Sequence, residues 1–535
     1  MTSQVEPDSS STSETPRRNS RALLLAVAGA GLFIAAMDAY VVVTLLPAMI
    51  ADVGLTIDRI EQATPLVSGF LGGYIVAMPL LGAYSDVRGR APIYIACLAA
   101  FALGSVVTAT AGLWNSGLAW LVVGRVLQGL GGGGLVPLTL AIAADLYRGG
   151  GRTVALGSVA GLQEAGSVFG PLYGATLAAA AASAGGWRFV FWLNVPLAAA
   201  CGAGLYVLDR RLTPRVAKVS VTVRVREGAP SGHRRDSIDW LSALLLGGGL
   251  GLLVLALYPD DPANRATGAL FIPAGIASLV LLVIYGWRQL RQLEPLIPRA
   301  LLRSRRFIGS TAANLLIGAA LMVALVDVPL LGRLVFGLDE LNSGLLLTRF
   351  LVGVPVGAVL GGLAARRFSA WVTALAGIAL AAVAFLQMSG WPANELDLRL
   401  GPLRQADIAL AACGVGFGIV IAPLAAAVLD LTRAENHGLA SSLVVLARTL
   451  GMLIGLSTLT AFGLHRFHQI LGTPQLDDPT VKERVDHLAR LVAAAFLQEY
   501  REIFGIAAVL CVLAGVVIVV TLGPLPYRFS ATASK

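Results

Sequence analysis

The residues that decide the fold are 80–94, which read LLGAYSDVRGRAPIY. They place an aspartate and two arginines at the junction of two segments, 63–84 and 93–112, that carry no charged residue. Each segment is about as long as the roughly 20 apolar residues that a membrane-spanning helix needs. The short charged stretch therefore predicts a loop between two consecutive membrane spans.

The same pattern continues along the whole chain. It has 535 residues, of which 56% are hydrophobic and 13% charged, and its mean hydropathy is +0.77. Soluble domains carry about 25% charged residues, so this composition indicates an all-α polytopic membrane protein. The fourteen predicted spans are 22–48, 63–84, 93–112, 118–144, 154–182, 189–208, 240–257, 268–287, 308–331, 343–365, 370–389, 406–430, 438–463 and 502–522.

Basic residues concentrate on one side of these spans. The side that holds both chain ends also holds Arg148, Arg152 and the basic stretches 210–235 and 288–306. The positive-inside rule then predicts that both termini are cytoplasmic. This asymmetry accounts for the net charge of +9, so a nucleic-acid partner is not expected.

The spans define a domain organisation. The linker region contains two spans of its own and the alternating residues Val219, Val221, Val223 and Val225, which predict a short strand. The predicted units are a disordered cytoplasmic tail (1–21), an N-terminal six-helix half (22–208), a cytoplasmic loop with two linker spans (209–306), a C-terminal six-helix half (307–523) and a second cytoplasmic tail (524–535).

Two pairs of segments suggest that the halves are repeats. Residues 134–145 and 418–430 both contain glycine and proline and end in an aspartate. Aligning Gly166 with Gly451 also aligns Gly170 with Gly455, and sets Glu164 one position from Arg448. Parallel repeats are common in secondary transporters. A chance match between helices rich in glycine and alanine stays open.

The stretch 464–501 predicts an extracytoplasmic extension of the last two core spans. Asp478 can cap a new helix that has Pro479 at its first position. The following apolar residues recur at helical spacing: Val481, Val485, Leu488, Val492 and Phe496. This stripe either staples an antiparallel helical pair together or forms a docking surface for a partner or substrate.

Three motifs resemble those of the major facilitator superfamily. Residues 80–94 resemble its G-x-L-x-D-R-x-G-R loop signature, with matches at Gly82, Asp86, Gly89 and Arg90 and with Arg88 shifted by one place. Asp86 and the arginines would then form charge pairs that lock a cytoplasmic gate.

The other two motifs lie within spans. Residues 121–134 resemble the R-x-x-Q-G motif through Arg125, Gln128 and Gly129. Residues 166–174 resemble the G-x-x-x-G-P-x-x-G antiporter motif, with matches at Gly166, Gly170, Pro171 and Gly174. The pattern is most similar to the fourteen-span drug–proton antiporter branch.

Within that branch, the extension at 464–501 makes the chain similar to mycobacterial exporters linked to triacylglycerol and drug efflux. The resemblance implies a multi-pass protein of the inner membrane, two six-helix halves with two linker spans, and proton-coupled export by alternating access. It implies a hydrophobic cargo, lipid such as triacylglycerol, and an extracytoplasmic lipid-binding lipoprotein as partner, with the transporter itself a monomer. The alternative is a multidrug–proton antiporter that has no lipid cargo.

Four charged residues lie at membrane depth: Asp38, Glu164, Arg125 and Arg448. Ionisable residues within spans face cavities or one another and mark transport pathways. We expect them to serve proton coupling or to line the cavity, and the alternative is that they form structural ion pairs. Asp327 and Arg333 lie nearer the outer end of their span, where a structural role is expected and a role in gating is the alternative.

The sequence contains no nucleotide-binding motif, nucleophile motif or metal-ligand cluster. The chain is therefore not expected to be an enzyme, to hold a metal or cofactor, or to use ATP.

Overall fold

The computed structural model describes residues 14–53, 64–111, 117–181, 186–226, 239–258, 267, 270–292, 295–471 and 481–523. This part of the chain is almost entirely helical. Its helices are α1 (Glu14–Asp52), α2 (Thr64–Arg88), α3 (Arg90–Thr110), α4 (Gly117–Leu146), α5 (Gly150–Ala180), α6 (Trp187–Arg226), α7 (Trp240–Leu257), α8 (Phe271–Arg291), α9 (Arg299–Arg303), α10 (Arg305–Leu334), α11 (Glu340–Arg367), α12 (Ala370–Met388), α13 (Gln405–Leu429), α14 (His437–Leu471) and α15 (Val481–Leu522). Two-residue strands, β1 (Arg399–Leu400) and β2 (Leu403–Arg404), form an antiparallel hairpin before α13.

Within the described residues, twelve helices are long and apolar enough to cross a membrane. The other two predicted spans correspond to α5, which is not among the twelve, and to α7, whose apolar stretch Leu241–Leu257 is shorter. The prediction of an all-α multi-pass membrane protein is confirmed. The count of fourteen spans and the side on which the termini lie stay predictions.

The long helices pack as two bundles, α1–α6 and α10–α15, with α7 and α8 packed on each other and α7 on α2. One buried apolar cluster contains residues of both bundles, including Leu138 and Val444. A second cluster lies wholly within α10–α15 and the loops between them, and a third lies within the first bundle and includes Val41 and Trp187. The bundles therefore share a core at one end and have separate cores elsewhere.

Glycines set equivalent contacts in the two bundles. A Cβ at Gly166 in α5 would lie 2.8 Å from the carbonyl oxygen of Phe33 in α1. A Cβ at Gly451 in α14 would run into the carbonyl oxygen of Leu315 in α10. The fifth helix of each bundle thus packs closely on the first, as the aligned glycines of a repeat require.

The linker helices are held together by Asp239, which caps α7 by accepting a hydrogen bond from the Ser242 N–H over 3.2 Å. Its carboxylate also accepts from Arg288 in α8 over 3.0 Å and from Gln292. Burial raises the pKa of Asp239, but these hydrogen bonds outweigh burial and hold that pKa below its usual range.

Two sequence expectations differ from the structure. The valines at 219–225 do not form a strand, because the backbone of α6 stays helical to Arg226. A helix satisfies its own backbone hydrogen bonds, whereas an isolated strand needs a partner strand. The helix α1 begins at Glu14, so residues 14–21 are helical and not disordered as predicted. Residues 1–13 and 524–535 lie outside the described residues.

The last two core helices continue past their apolar spans. The spans end at Gly463 and begin at Leu491, whereas α14 runs to Leu471 and α15 begins at Val481. Both guanidinium nitrogens Nε and Nη2 of Arg466 donate to Glu502, over 2.7 and 2.8 Å, which joins the two helices. The predicted cap at Asp478 and Pro479 lies outside the described residues.

Candidate transport site

The first charged site surrounds Asp38 in α1. Its Oδ2 accepts a hydrogen bond from Nη1 of Arg125 over 2.8 Å, and its Oδ1 accepts from Asn194 over 2.7 Å and from Gln128 over 3.2 Å. Asp38 is 2% exposed and Arg125 is 1% exposed. The carboxylate is thus saturated by donors from α4 and α6.

Arg125 is held from other helices as well. Its Nη1 also donates to the side-chain oxygen of Gln128 over 3.0 Å, and its guanidinium lies 4.3 Å from the ring centre of Phe70 in α2. Ser105 in α3 accepts from Gln128 over 2.9 Å. This buried network, which we call the Asp38 network, ties together five helices of the first bundle, and a buried pair survives only when its remaining donors and acceptors are satisfied in this way.

The second charged site joins the two bundles. Glu164 in α5 and Arg448 in α14 form an ion pair with a distance of 3.2 Å between Oε1 and Nη2. Arg448 is 7% exposed, and its Nη1 is buried without a hydrogen-bond partner among the described residues. The sequence alignment of the halves placed this acid and this base at matching levels, and the structure brings them into contact. We call Glu164 and Arg448 the central ion pair.

Two tyrosines lie next to the central ion pair. Tyr40 in α1 and Tyr74 in α2 are both close enough to Glu164 and Arg448 to interact with their charges. Tyr40 lies only two residues from Asp38 on α1. Both charged sites therefore involve α1, at positions two residues apart.

A third polar site closes one end of the molecule, and Asp86 in α2 is at its centre. Its two carboxylate oxygens accept from the backbone N–H groups of Gly438 and Leu439, each over 2.9 Å. These groups belong to the first turn of α14, where unpaired N–H groups attract negative charge. The carboxylate also pairs with Arg90 at the start of α3.

Arg90 connects this site to Asp145 and, through Asp145, to His437. Its Nε lies 3.1 Å from Oδ2 of Asp145 at the end of α4, and its Nη2 donates to the carbonyl of Ala434 over 3.1 Å. The other oxygen of Asp145 is 2.7 Å from Nδ1 of His437 in α14. We call Asp86, Arg90, Asp145 and His437 the interbundle lock.

Further contacts between the bundles lie at the same end. Arg152 in α5 pairs with Asp430, which follows α13, over 2.6 Å. A Cβ at Gly157 in α5 would lie 2.7 Å from the carbonyl oxygen of Ala358 in α11, so these helices are packed backbone to backbone. The two bundles thus meet closely at the end that carries Arg90 and Arg152, which is the predicted cytoplasmic end.

The antiporter-motif residues line the contact between α5 and α1. A Cβ at Gly170 would run into the carbonyl oxygen of Met37, and one at Gly174 would lie 2.5 Å from the Val41 side chain. Thr44 donates to the carbonyl of Pro171 over 3.3 Å. The motif therefore sets the spacing between the helix of Glu164 and the helix of Asp38.

The loop motif is only partly used in the lock. Gly82 lets α2 approach α14, since a Cβ there would lie 2.5 Å from the carbonyl oxygen of Gly438. Gly89 has a φ of +96°, which favours glycine at the turn into α3. Arg88 is exposed and lies 5.8 Å over the ring of Tyr84, so it takes no part in the lock as described.

Sequence reasoning missed three partners at these sites. Asn194 lies in the stretch 187–197, which resembles the same fourteen-span branch, but it was not singled out as a site residue, and His437 gains its role only because α14 starts beside α4. Asp145 was the one residue with a signal, because it matches Asp430 in the repeat, and both close the same end of the molecule.

Comparisons with known proteins show the family of the chain. The sequence matches the Major Facilitator Superfamily over residues 28–456. A triacylglyceride transporter of Mycolicibacterium hassiacum is 39% identical over 519 residues, which cover 94% of this chain and 92% of that protein. A triacylglyceride transporter of Mycobacterium tuberculosis is 37% identical over 517 residues, which cover 93% of this chain and 94% of that protein.

The chain belongs to the Major Facilitator Superfamily. It is a multi-pass membrane transporter and not an enzyme, as the sequence predicted. The solved human organic anion transporter MFSD10 has a TM-score of 0.58 at 15% identity, with 93% of this chain and 99% of that chain covered. The proton:xylose symporter XylE has a TM-score of 0.59 at 15% identity, with 95% and 97% covered. These two structures share the superfamily fold.

Proposed function

We propose that this transporter exports a neutral lipid, such as triacylglycerol, across or out of the cytoplasmic membrane by alternating access. The lipid cargo is supported by relatives that cover nearly the whole chain and are named triacylglyceride transporters. The observation that carries the mechanism is the central ion pair, because Glu164 and Arg448 belong to different bundles. Alternating access requires the bundles to move against each other, so this pair must break in each cycle.

We further propose that proton binding to Glu164 drives this step. A proton on the carboxylate removes its charge and releases Arg448. The arginine is then a buried cation without a partner, which favours a different position of its side chain. Glu164 is suited to this exchange, since its side chain is 18% exposed and no other hydrogen bond holds it among the described residues. Asp38 is held by three donors and is proposed to keep the first bundle in a shape that proton exchange at Glu164 requires.

Opening of the predicted cytoplasmic end requires the interbundle lock to break as well. The Asp86 carboxylate would leave the first turn of α14, and Asp145 would leave His437. Each of these interactions joins the first bundle to the second. A change at Glu164 that shifts α5 against α14 would therefore act on the lock through the same helix, α14.

The test is transfer of labelled triacylglycerol in proteoliposomes under an imposed pH gradient, with wild type compared with Glu164→Gln. We expect gradient-dependent transfer in the wild type and at least a tenfold loss in the variant. The matched control is Asp407→Asn, which removes an ion pair with Arg349 of 3.0 Å that lies within the second bundle. This control is expected to transfer lipid at nearly the wild-type rate.

Other outcomes separate the parts of the proposal. Gradient-dependent transfer in both wild type and Glu164→Gln would support lipid export and remove Glu164 from proton coupling. Transport of small cationic drugs with no lipid transfer would contradict lipid export and favour the multidrug–proton antiporter.

We also propose that the outward continuation of α14 and α15 presents a surface to an extracytoplasmic lipid-binding lipoprotein. The support is its position, because the helices extend beyond Gly463 and Leu491, where the apolar spans end. The test is to shorten α14 after Gly463 and α15 before Leu491 by equal lengths. This variant should lose lipid transfer to an added lipoprotein, whereas its lipid transfer between membranes should persist. Equal loss of both activities would contradict a docking role.

A further inference from the structure

Two acids that the transport proposal does not use lie together in the second bundle. Asp327 in α10 and Glu499 in α15 are close enough for their charges to interact. Glu499 is 8% exposed, although it lies well inside the apolar span Leu491–Leu522. The pair lies where α10, α14 and α15 pack against one another.

The backbone of α14 makes room for this pair. A Cβ at Gly463 would run into Oε1 of Glu499, so the absence of a side chain there allows the carboxyl group to enter the junction. The other oxygen, Oε2, is buried and has no hydrogen-bond partner among the described residues. A buried polar atom without a partner costs about 1–3 kcal/mol, and more if it is charged.

The basic side chains around the pair are engaged elsewhere or exposed. On α10 itself Arg333 is exposed. Other described charged or titratable groups on α10, α11, α13, α14 and α15 include Arg466 and Glu502, which pair with each other; His465, which bonds to Gln469; Arg349 and Asp407, which pair with each other; Arg501, which donates to the carbonyl of Trp391; and the phenol of Tyr500, which lies beside both acids.

This surrounding differs from that of the acids described above. Asp38 and Glu164 each pair with an arginine, whereas the described residues supply no cation to Asp327 and Glu499. Glu499 is buried and Asp327 is half-buried. Two adjacent carboxylates in such surroundings repel each other, and a proton held by one of them removes a charge and supplies a donor for the other. The unpartnered Oε2 is where such a proton can reside.

We propose that Asp327 and Glu499 form a proton-binding site in the second bundle, distinct from Asp38 and Glu164, that holds a proton at neutral pH. Loss of the proton leaves two like charges between α10 and α15 and favours their separation beside α14. The same helix α14 carries Arg448 of the central ion pair, so proton release here acts on the helix that must move in transport. The site is a property of the folded protein and does not depend on which cargo is carried.

The test is infrared spectroscopy of the purified full-length protein, which detects the carbonyl band of a protonated carboxyl group. The wild type is compared at neutral pH with the double variant Asp327→Asn/Glu499→Gln. The difference spectrum should contain a protonated-carboxyl band that is lost in alkaline buffer. A difference spectrum without this band would overturn the proposal, since both acids would then be ionised.

The matched control is Glu395→Gln. Glu395 is a buried carboxyl group in the loop after α12, outside these three helices, and burial raises its pKa. Its own band should disappear in this variant while the band of the pair persists. The band of the pair should be the same in sodium chloride and in choline chloride. Its loss in sodium would overturn the proposal in favour of a metal-cation site.

A second measurement needs no variant and covers the case in which the double variant fails to fold. A hydrophobic carbodiimide adds to protonated carboxyl groups in apolar surroundings, and the modified residue is mapped by mass spectrometry. Modification of Asp327 or Glu499 in the wild type at neutral pH is expected, and it should fall in alkaline buffer. Modification of neither residue would overturn the proposal.

Discussion

Asp38 and Glu164 look alike in the sequence and differ in the structure. Both are acids within apolar helices of the first bundle, and both meet an arginine. Asp38 accepts hydrogen bonds from three side chains of its own bundle and is 2% exposed. Glu164 meets one arginine from the other bundle, and its side chain is 18% exposed.

The number of hydrogen-bond partners, and the bundle to which they belong, indicate which acid can change its partner during transport. An acid whose two oxygens are both saturated within one bundle stabilises that bundle in every state of the transport cycle. An acid that holds a single partner across the two bundles can release it at low cost. Burial and the presence of an arginine therefore do not distinguish an ion pair that persists from one that breaks in each transport cycle. The number of partners of the acid, and the bundle that supplies them, do distinguish the two.

The largest loss of stability is expected for Asp38→Asn. The amide removes the charge that balances Arg125 and turns one N–H₂ group toward the donors of Arg125, Gln128 or Asn194. Removing one partner of a buried ion pair costs about 3–5 kcal/mol, so the folded yield and the melting temperature in detergent should fall sharply. A variant that melts like the wild type would show that the network does not stabilise the bundle.

A smaller effect is expected for Asp86→Asn in the interbundle lock. The amide loses the charge-assisted bonds to Arg90 and to the N–H groups of Gly438 and Leu439, which are worth about 1.5–3 kcal/mol. Because the bonds to Gly438 and Leu439 join the two bundles, their loss should favour opening of the lock end. Alkylation of a cysteine introduced at Ser442, which lies against Gly82, should become several-fold faster.

The reference for that measurement is the same cysteine variant with Asp86 intact. An unchanged alkylation rate would contradict a role of Asp86 in closing this end of the molecule.

The contact between the helices of the two acids is tested by Gly170→Ala. The added methyl group would run into the carbonyl oxygen of Met37, and overpacking of this kind costs about 1–3 kcal/mol. The matched control is Gly72→Ala in α2, where a Cβ meets nothing within 4 Å. Thermal melting should be lowered only by the first substitution, and equal melting of both variants would contradict close packing of α5 on α1.

The smallest loss of stability is expected for Glu164→Gln, in contrast to the loss expected for Asp38→Asn. The amide oxygen can still accept from Arg448 and the N–H₂ group can turn away from it, so the loss of stability should be smaller than that of Asp38→Asn, whose donors occupy both oxygens. Thermal melting close to that of the wild type, together with lost pH dependence of transport, is the expected result. A loss of stability equal to that of Asp38→Asn would remove the distinction between the two acids.

The sequence predicted the helices and the charged residues better than it predicted their partners. Apolar length predicted the twelve described helices that are long and apolar enough to cross a membrane, and the motif around Arg125 marked a residue that lies at the centre of the Asp38 network. The repeat alignment placed Glu164 and Arg448 near matching positions, which is how their contact could be anticipated. The partner residue Asn194 could not be found in this way, because its role depends on how α6 packs against α1.

The same limit explains the acids of the second bundle. Asp327 was expected to have a structural role near the outer end of its span, and Glu499 was not singled out. Their proximity follows from the register of α10 against α15 and from the space at Gly463, neither of which has a signature in one sequence. The alternating valines at 219–225 predict a strand by their period of two, but this period carries no information about a partner strand.

Transport by alternating access requires the two bundles, which are joined at the lock end, to separate there. Cysteines at Gly161 and Ala358 test it directly, since a Cβ at Gly161 lies 3.9 Å from that of Ala358, within the range of a disulfide. Oxidation of the double variant Gly161→Cys/Ala358→Cys should abolish lipid transfer in proteoliposomes, reduction should restore it, and either single variant should be unaffected. Transfer at the wild-type rate by the fully cross-linked protein would contradict the account.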